Sequence, residues 1–279
     1  MALRTDLAIE GGGMGGGKKR YRAVNHKERL PFGSRTSTLL KTPEGDSYGR
    51  YITYELPPFA ASAESTDCLA ESLADSLRGL LKGHTQAVQV AGLGNASVTP
   101  DAVGPLTAEK VLATRHITGM YKDLFPNDLA TVSVLAPGVL GQTGIEAAEI
   151  LASAARLTRA SAVIAIDALA AKDYARIGCT IQLTDTGISP GSGVGNCRKE
   201  LSKRTLGVPV VAVGVPTVVD AATLMENLTG QEADTGRDLV VTPRDIDEVV
   251  HKASCLLSLS LNLALQPTLS LSDIRELTV

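Results

Sequence analysis

The chain has 279 residues and a mass of 29.0 kDa, and its 27 Lys and Arg against 30 Asp and Glu leave a formal net charge of −3. That balance excludes a general electrostatic grip on nucleic acid. Three Phe, six Tyr and no Trp also give too few platforms for stacking single-stranded bases.

The first sixty residues differ from the rest. GGGMGGG at 11–17 is almost all glycine, which loses the most backbone entropy on ordering, so it reads as a flexible tether or surface loop. The basic cluster Lys18, Lys19, Arg20, Arg22, Lys27 and Arg29 reads as a solvated loop, with a contact surface for an acidic partner as the alternative. YGRYITYEL at 48–56 predicts one edge strand. From residue 63 onward, helix and strand alternate. Helices are predicted near 63–82, 104–116 and 143–159, the last opened by a Thr143–Glu146 capping box. Strands are predicted at 86–92, 131–137, 161–167, 179–185 and 208–216. Thr242 and Pro243 open a C-terminal helix with Ile246, Val249, Val250, Ala253, Leu256 and Leu257 on one face. The stretch 258–265 alternates with period two and fits helix or strand.

The predicted strands are continuous apolar runs, as strands covered on both faces are. The reading is therefore α/β: a single three-layer domain with a mostly parallel central sheet flanked by helices, behind a Gly-rich N-terminal segment. Length alone also allows two domains, but a chain of this size buries on the order of 75% of its unfolded surface and needs no staples. Four scattered Cys form neither a zinc pattern nor a secreted framework, and no metal or cofactor is expected. MALRTDLAIE lacks the apolar core of a secretory signal, and Ala253–Leu265 is too short and too polar to span a bilayer. The expectation is a soluble cytoplasmic protein without a membrane partner.

In open α/β sheets, ligands sit at the carboxyl ends of the strands. Those ends deliver GLGNASVTPDAVGP (92–105), APGVLGQTGIE (136–146), Asp167, TDTGISPGSGVGN (184–196) and GVPTVVDA (214–221). Asp101, Asp167, Asp185 and Asp220 lie among them, with Asn95, Thr99, His116 and Glu146 as supporting candidates. Asp167 ends an apolar strand, which raises a carboxylate's pKa. If Asp101 faces it, the two can share a proton, one activating water while the other polarises a carbonyl. Both residues fit equally as caps of the helices that follow them.

Three tempting motifs are discounted. GISPG at 187–191 has the spacing of a serine-hydrolase elbow, but Pro190 lacks the N–H that the oxyanion hole needs. GLGNAS at 92–97 is half a dinucleotide fingerprint, with Ser97 in place of the third glycine and Pro100 against the expected helix. GSGVGN at 191–196 makes an anion nest or an ordinary turn equally well. His26, His84 and His251 are isolated, and no histidine can be paired with Cys197.

Taken together, GLGNASVTPDAVGP, TRHITG, LAPGVLGQTGIE, AIDALAA, TIQLTDTGISPGSGVGNCRKE, GVPVVAVGVPTVVDA, RTDLAIE and VTPRDIDEVV closely resemble the germination protease family of spore-forming bacteria. The resemblance implies an endopeptidase that degrades small acid-soluble spore proteins, with a fold related to hydrogenase-maturation peptidases. It implies catalytic aspartates at Asp101 and Asp167, a tetramer and a location in the forespore or spore core. It also implies a zymogen: Asp6-Leu7-Ala8-Ile9-Glu10 is similar to the family's cleavage pattern, placing self-cleavage between Ala8 and Ile9. Residues 1–8 would be the propeptide, 9–62 an N-terminal segment and 63–279 the peptidase core. The chain departs from the family at 11–50 and at about 222–239, where relatives carry a long insertion. The alternatives are a hydrogenase-maturation-type peptidase and a non-catalytic nucleotide- or anion-binding module on the same sheet.

Overall fold

The computed structural model describes residues 6–7, 22–41, 47–59, 66–120, 129–191, 198–231 and 239–278. An antiparallel ribbon comes first: β1 (Arg22–Leu30), β2 (Gly33–Lys41) and β3 (Ser47–Glu55). Then come α1 (Asp67–Leu81), β4 (Ala87–Gly92), α2 (Val103–Glu109), α3 (Arg115–Met120), β5 (Thr131–Leu135), α4 (Leu140–Thr143) and α5 (Ala147–Thr158). The rest is β6 (Ala162–Ala171), β7 (Thr180–Thr184), α6 (Lys203–Leu206), β8 (Val210–Asp220), α7 (Ala221–Thr229), β9 (Val240–Val241), α8 (Ile246–Leu265) and α9 (Leu271–Leu277). These strands form one sheet in the order β1-β2-β3-β7-β8-β6-β4-β5, with β9 pairing β8.

Side-chain alternation divides the core into two layers about the sheet. Val88 and Val90 of β4, Ile164 and Ile166 of β6, and Val211 and Val213 of β8 pack under α1, α2 and α8. Ala91, Val163, Ala165 and Val210 face the other way, under α5 and α6. The protein is thus α/β, with helices on both faces of a large sheet.

The sheet is mixed rather than mostly parallel. Only β5-β4-β6-β8 is parallel; β7 runs antiparallel to both β8 and β3. Residues 172–179 are all that separate β6 from β7, fewer than the dozen or so a parallel crossover needs. The predicted edge strand at 48–56 is interior, because β2 covers its outer side. The described part of the basic cluster read as a loop supplies the true edge: Arg22, Lys27 and Arg29 lie on β1, whose residues are almost all exposed, while Lys18, Lys19, Arg20 and the glycine run at 11–17 lie outside the described residues. Charged residues along an edge discourage further pairing.

Several boundaries move for local reasons. The helix expected at 104–116 breaks after Glu109, because buried Asn262 of α8 takes its backbone groups. The Asn262 side chain donates to Lys110 O at 3.0 Å and accepts from Leu112 N at 2.9 Å. The Thr143–Glu146 box does not form. Gly144 at φ +71° ends α4, and the Thr143 hydroxyl donates to Ile145 O while α5 starts afresh after Glu146. Thr242 does not open the last long helix either. Its hydroxyl donates to Thr217 O at 2.9 Å, and α8 begins only at Ile246. The ambiguous stretch 258–265 is helix. Its serines satisfy themselves on the preceding turn, Ser258 Oγ on Cys255 O and Ser260 Oγ on Leu256 O. Among the described residues no helix is long and apolar enough to cross a membrane.

Candidate active site

The parallel half of the sheet creates the site. β4 stops pairing with β6 at Gly92 opposite Ile166, and its chain then turns away. Leu93 N–H still donates to Ile166 O at 2.8 Å, and the loop that follows carries Asp101 on a 3-10 turn, Thr99–Asp101. Two glycines make this approach possible. Gly94 sits at φ +111°, where a Cβ would lie 2.1 Å from Asp101 O. At Gly104 a Cβ would lie 2.2 Å from Leu93 O and 2.6 Å from Ile166 O, so α2 can start hard against β6. One Asp101 carboxylate oxygen accepts from Asn95 N–H at 2.8 Å. The Asn95 side chain accepts from Ser97 N and from Gln142 Nε2, both at 3.0 Å.

Asp167 is not at a strand end. β6 runs four residues past it, paired with β8 as far as Ala171 opposite Val219. Asp167 stands in line with Gly214 of β8 and is 5% exposed. Its carboxylate accepts from Ala168 N–H at 3.0 Å. Neither aspartate caps a helix: Asp101 is spent on its own loop and Asp167 lies within the sheet.

Both aspartates line one cavity of about 350 Å³, whose wall also includes Asp6, Gly138, Glu146 and Arg198. Burial raises the Asp101 pKa, opposed by the Asn95 N–H. Burial pushes Asp167 well above the usual carboxylate range, and the charges of Asp101 and Asp6 push it further in the same direction. Both shifts run upward and the larger is at Asp167, so Asp167 is the harder of the two to ionise and the pair can hold one proton between them. One group then donates and the other accepts, as acid–base hydrolysis needs.

The other predicted residues scatter. Glu146 lines the cavity, at the start of α5. Asn95 reaches it only through Asp101. Thr99 begins the 3-10 turn with its side of the loop exposed, and His116 is exposed on α3; neither lines the cavity. Asp185 is elsewhere: it accepts from Lys82 Nζ and Arg50 N, both at 2.7 Å. Since β7 is antiparallel, its carboxyl end falls at the opposite edge of the sheet. Asp220 caps α7 through Thr223 N–H. Ala8, Ile9, Cys197 and most of GSGVGN lie outside the described residues. The half-fingerprint GLGNAS spends its Asn95 N–H on Asp101, not on a phosphate.

Sequence reasoning missed Asp6, Arg198 and Thr217 as wall residues. Thr217 is an extra residue on β8 between the partners of Leu169 and Ala170, and its hydroxyl is buried without a partner. The signal was Pro216 within a strand run, a mark of a bulge.

The sequence profile of germination proteases matches residues 41–230. A germination protease of Clostridium perfringens is 36% identical over 268 residues, covering 83% of this chain and 82% of that protein. One from Clostridium tetani is 36% identical over an alignment of 330 positions that covers 99% of each. That alignment exceeds this chain's 279 residues, so the relative carries inserted residues. One from Bacillus velezensis is 43% identical over 237 residues, covering 80% of this chain and 64% of that protein. A solved [NiFe] hydrogenase maturation protease HycI from Thermococcus kodakarensis KOD1 covers 67% of this chain and 98% of its own, at 18% identity and a TM-score of 0.39, too loose a likeness to carry an argument.

Proposed function

The chain belongs to the germination protease family and is a protease, and we propose that it hydrolyses small acid-soluble spore proteins through Asp101 and Asp167. The observation that carries the mechanism is the burial of Asp167 beside Asp101 in the cavity where β4 parts from β6. A water held between them gives its proton to ionised Asp101 as its oxygen attacks the scissile carbonyl carbon. Asp167 gives its proton to the carbonyl oxygen. The tetrahedral gem-diol then collapses: one of its hydroxyls returns a proton to Asp167 as the carbonyl re-forms, the C–N bond breaks, and the departing amine takes the proton from Asp101.

The same reading makes residues 1–8 a propeptide removed by self-cleavage between Ala8 and Ile9. Support comes from Asp6, two places upstream of Ala8, which lies in the cavity wall with the aspartates. Tetramer formation and a place in the forespore or spore core belong to this proposal too.

The test is digestion of an acid-soluble spore protein, with intact mass followed over time at mildly acidic pH. Asp101→Asn and Asp167→Asn should keep the wild-type circular dichroism and lose on the order of 10²–10⁴-fold in rate. Only the wild type should shed residues 1–8. A folded asparagine variant that retains wild-type activity would sink the paired-aspartate mechanism.

A further inference from the structure

Two residues of the chain's own N-terminal segment are seated beside the aspartates, and their contacts describe a receptor. Along β6, backbone groups alternate between neighbours. Val163 N–H donates to Pro209 O on the β8 side, and Ile166 O accepts from Leu93 N on the β4 side. Ala170 shares the parity of Ile166, but β4 has already left, so its N–H and C=O open onto the cavity. Asp6 fills that opening. Its N–H donates to Ala170 O at 3.0 Å, and its carboxylate accepts from Ala170 N–H, also at 3.0 Å. Gln182 Nε2 of β7 reaches Asp6 O at 3.4 Å. The next residue, Leu7, is completely buried. It packs on Leu169 and Ala171, with Ile177 and Ile188 closing the sides.

A surface segment held only by chance would not bury a leucine entirely while spending both backbone groups of an interior strand. We propose that the Ala170 backbone and the Leu169–Ala171–Ile177–Ile188 pocket are two adjacent substrate subsites, occupied in this structure by Asp6 and Leu7. The first takes a side chain that accepts a hydrogen bond, and a carboxylate makes that bond strongest. The second takes a branched apolar side chain of leucine size. Since Leu7 is the second residue before the Ala8–Ile9 bond, these subsites read the two residues lying one and two places upstream of the residue that is cut after. This rests on the protease reading above, and it names the groups that select the peptide.

The test measures binding, with hydrolysis switched off by Asp167→Asn in the full chain. The probe is a fluorescein-labelled heptapeptide copying residues 5–11, followed by fluorescence anisotropy. With its own Leu7 in place, the chain should bind the probe at least about tenfold more weakly than a chain also carrying Leu7→Asp, which empties the pocket. Leu7→Ala should fall between the two, and thermal melts check that all three chains are folded. In the emptied chain, replacing the probe's leucine by phenylalanine should weaken binding. Adding Ile177→Ala should shift the phenylalanine-to-leucine preference by roughly 10–200-fold, the range set by a few methylene groups in an apolar pocket. Equal binding with the pocket full or emptied, no binding in any chain, or a preference unmoved by Ile177→Ala would overturn the proposal. None of these readouts requires turnover, so failure of the aspartate mechanism leaves them unaffected.

Discussion

Gly94→Ala places one methyl group against Asp101, on which the proposed mechanism depends. The new Cβ would lie 2.1 Å from Asp101 O and 2.9 Å from its Oδ1, where ordinary contact begins near 3.4 Å. The obstruction is backbone, so it cannot swing away as a side chain does. The turn carrying Asp101 must retreat by roughly 1 Å, and a displacement of that size costs a reacting group on the order of 10²-fold in rate. The backbone at φ +111° adds strain of about 1–3 kcal/mol for any residue other than glycine. The assay is kcat for peptide cleavage, measured well below the melting temperature of the variant. Gly79→Ala is the control: Gly79 lies in α1 with open space around it, and alanine there should stabilise the helix by about 1 kcal/mol without touching kcat. A folded Gly94→Ala enzyme that loses stability yet keeps kcat within about threefold would refute Asp101 as a reacting group, because the loss expected from its position would be missing.

Two further outcomes concern stability. Asp167 has a raised pKa in the folded state, so the native protein binds more protons there than the unfolded chain does. Its contribution is fully present below the unfolded pKa of about 3.9 and is lost as pH rises toward the folded pKa, with a slope of about 1.4 kcal/mol per pH unit. Asp167→Asn should therefore melt higher than wild type at neutral pH, with the gain shrinking to nothing near pH 4; a gain independent of pH would contradict the buried-carboxyl account. Asn262→Ala leaves the part-buried Lys110 O and Leu112 N–H without their side-chain partner, at about 1 kcal/mol for each. The urea midpoint should fall with m unchanged, and a shift worth less than about 0.5 kcal/mol would show that water replaces the side chain without cost.

Most strands and helices of the core were legible because burial on both faces writes itself as continuous apolar runs. VIAI in β6 and VVAV in β8 need no partner to be recognised. The hairpin of β1 and β2 was not legible, since β1 has almost no buried face and its residues carry no period. Its strand state comes from backbone pairing with β2 alone, which side-chain patterning does not record. The end of α2 was hidden for a related reason. Asn262 is 152 residues from Lys110, and only the tertiary fold brings a side-chain amide to those two backbone groups.

The fate of Asp185 shows what decides a site. An apolar run reads the same whichever way the strand points, so TIQLT is recognisable as β7 while its direction is not. Direction nonetheless determines which loop reaches which edge. A parallel β7 would have delivered Asp185 to the carboxyl edge with Asp101 and Asp167. The antiparallel β7 delivers it to Lys82 and Arg50 instead. The chain then returns toward the cavity through the Ile188–Leu201 bridge, and this brings Pro190, Gly191 and Arg198 into the wall. Asp6, 164 residues upstream of Ala170, reaches the same wall with Leu7 in another way, by taking the place beside β6 that β4 gives up. The two aspartates needed only β4 and β6 to lie parallel and adjacent, which the alternation of strand and helix already implied. The rest of the cavity wall depends on strand direction and on where one strand stops short of its neighbour.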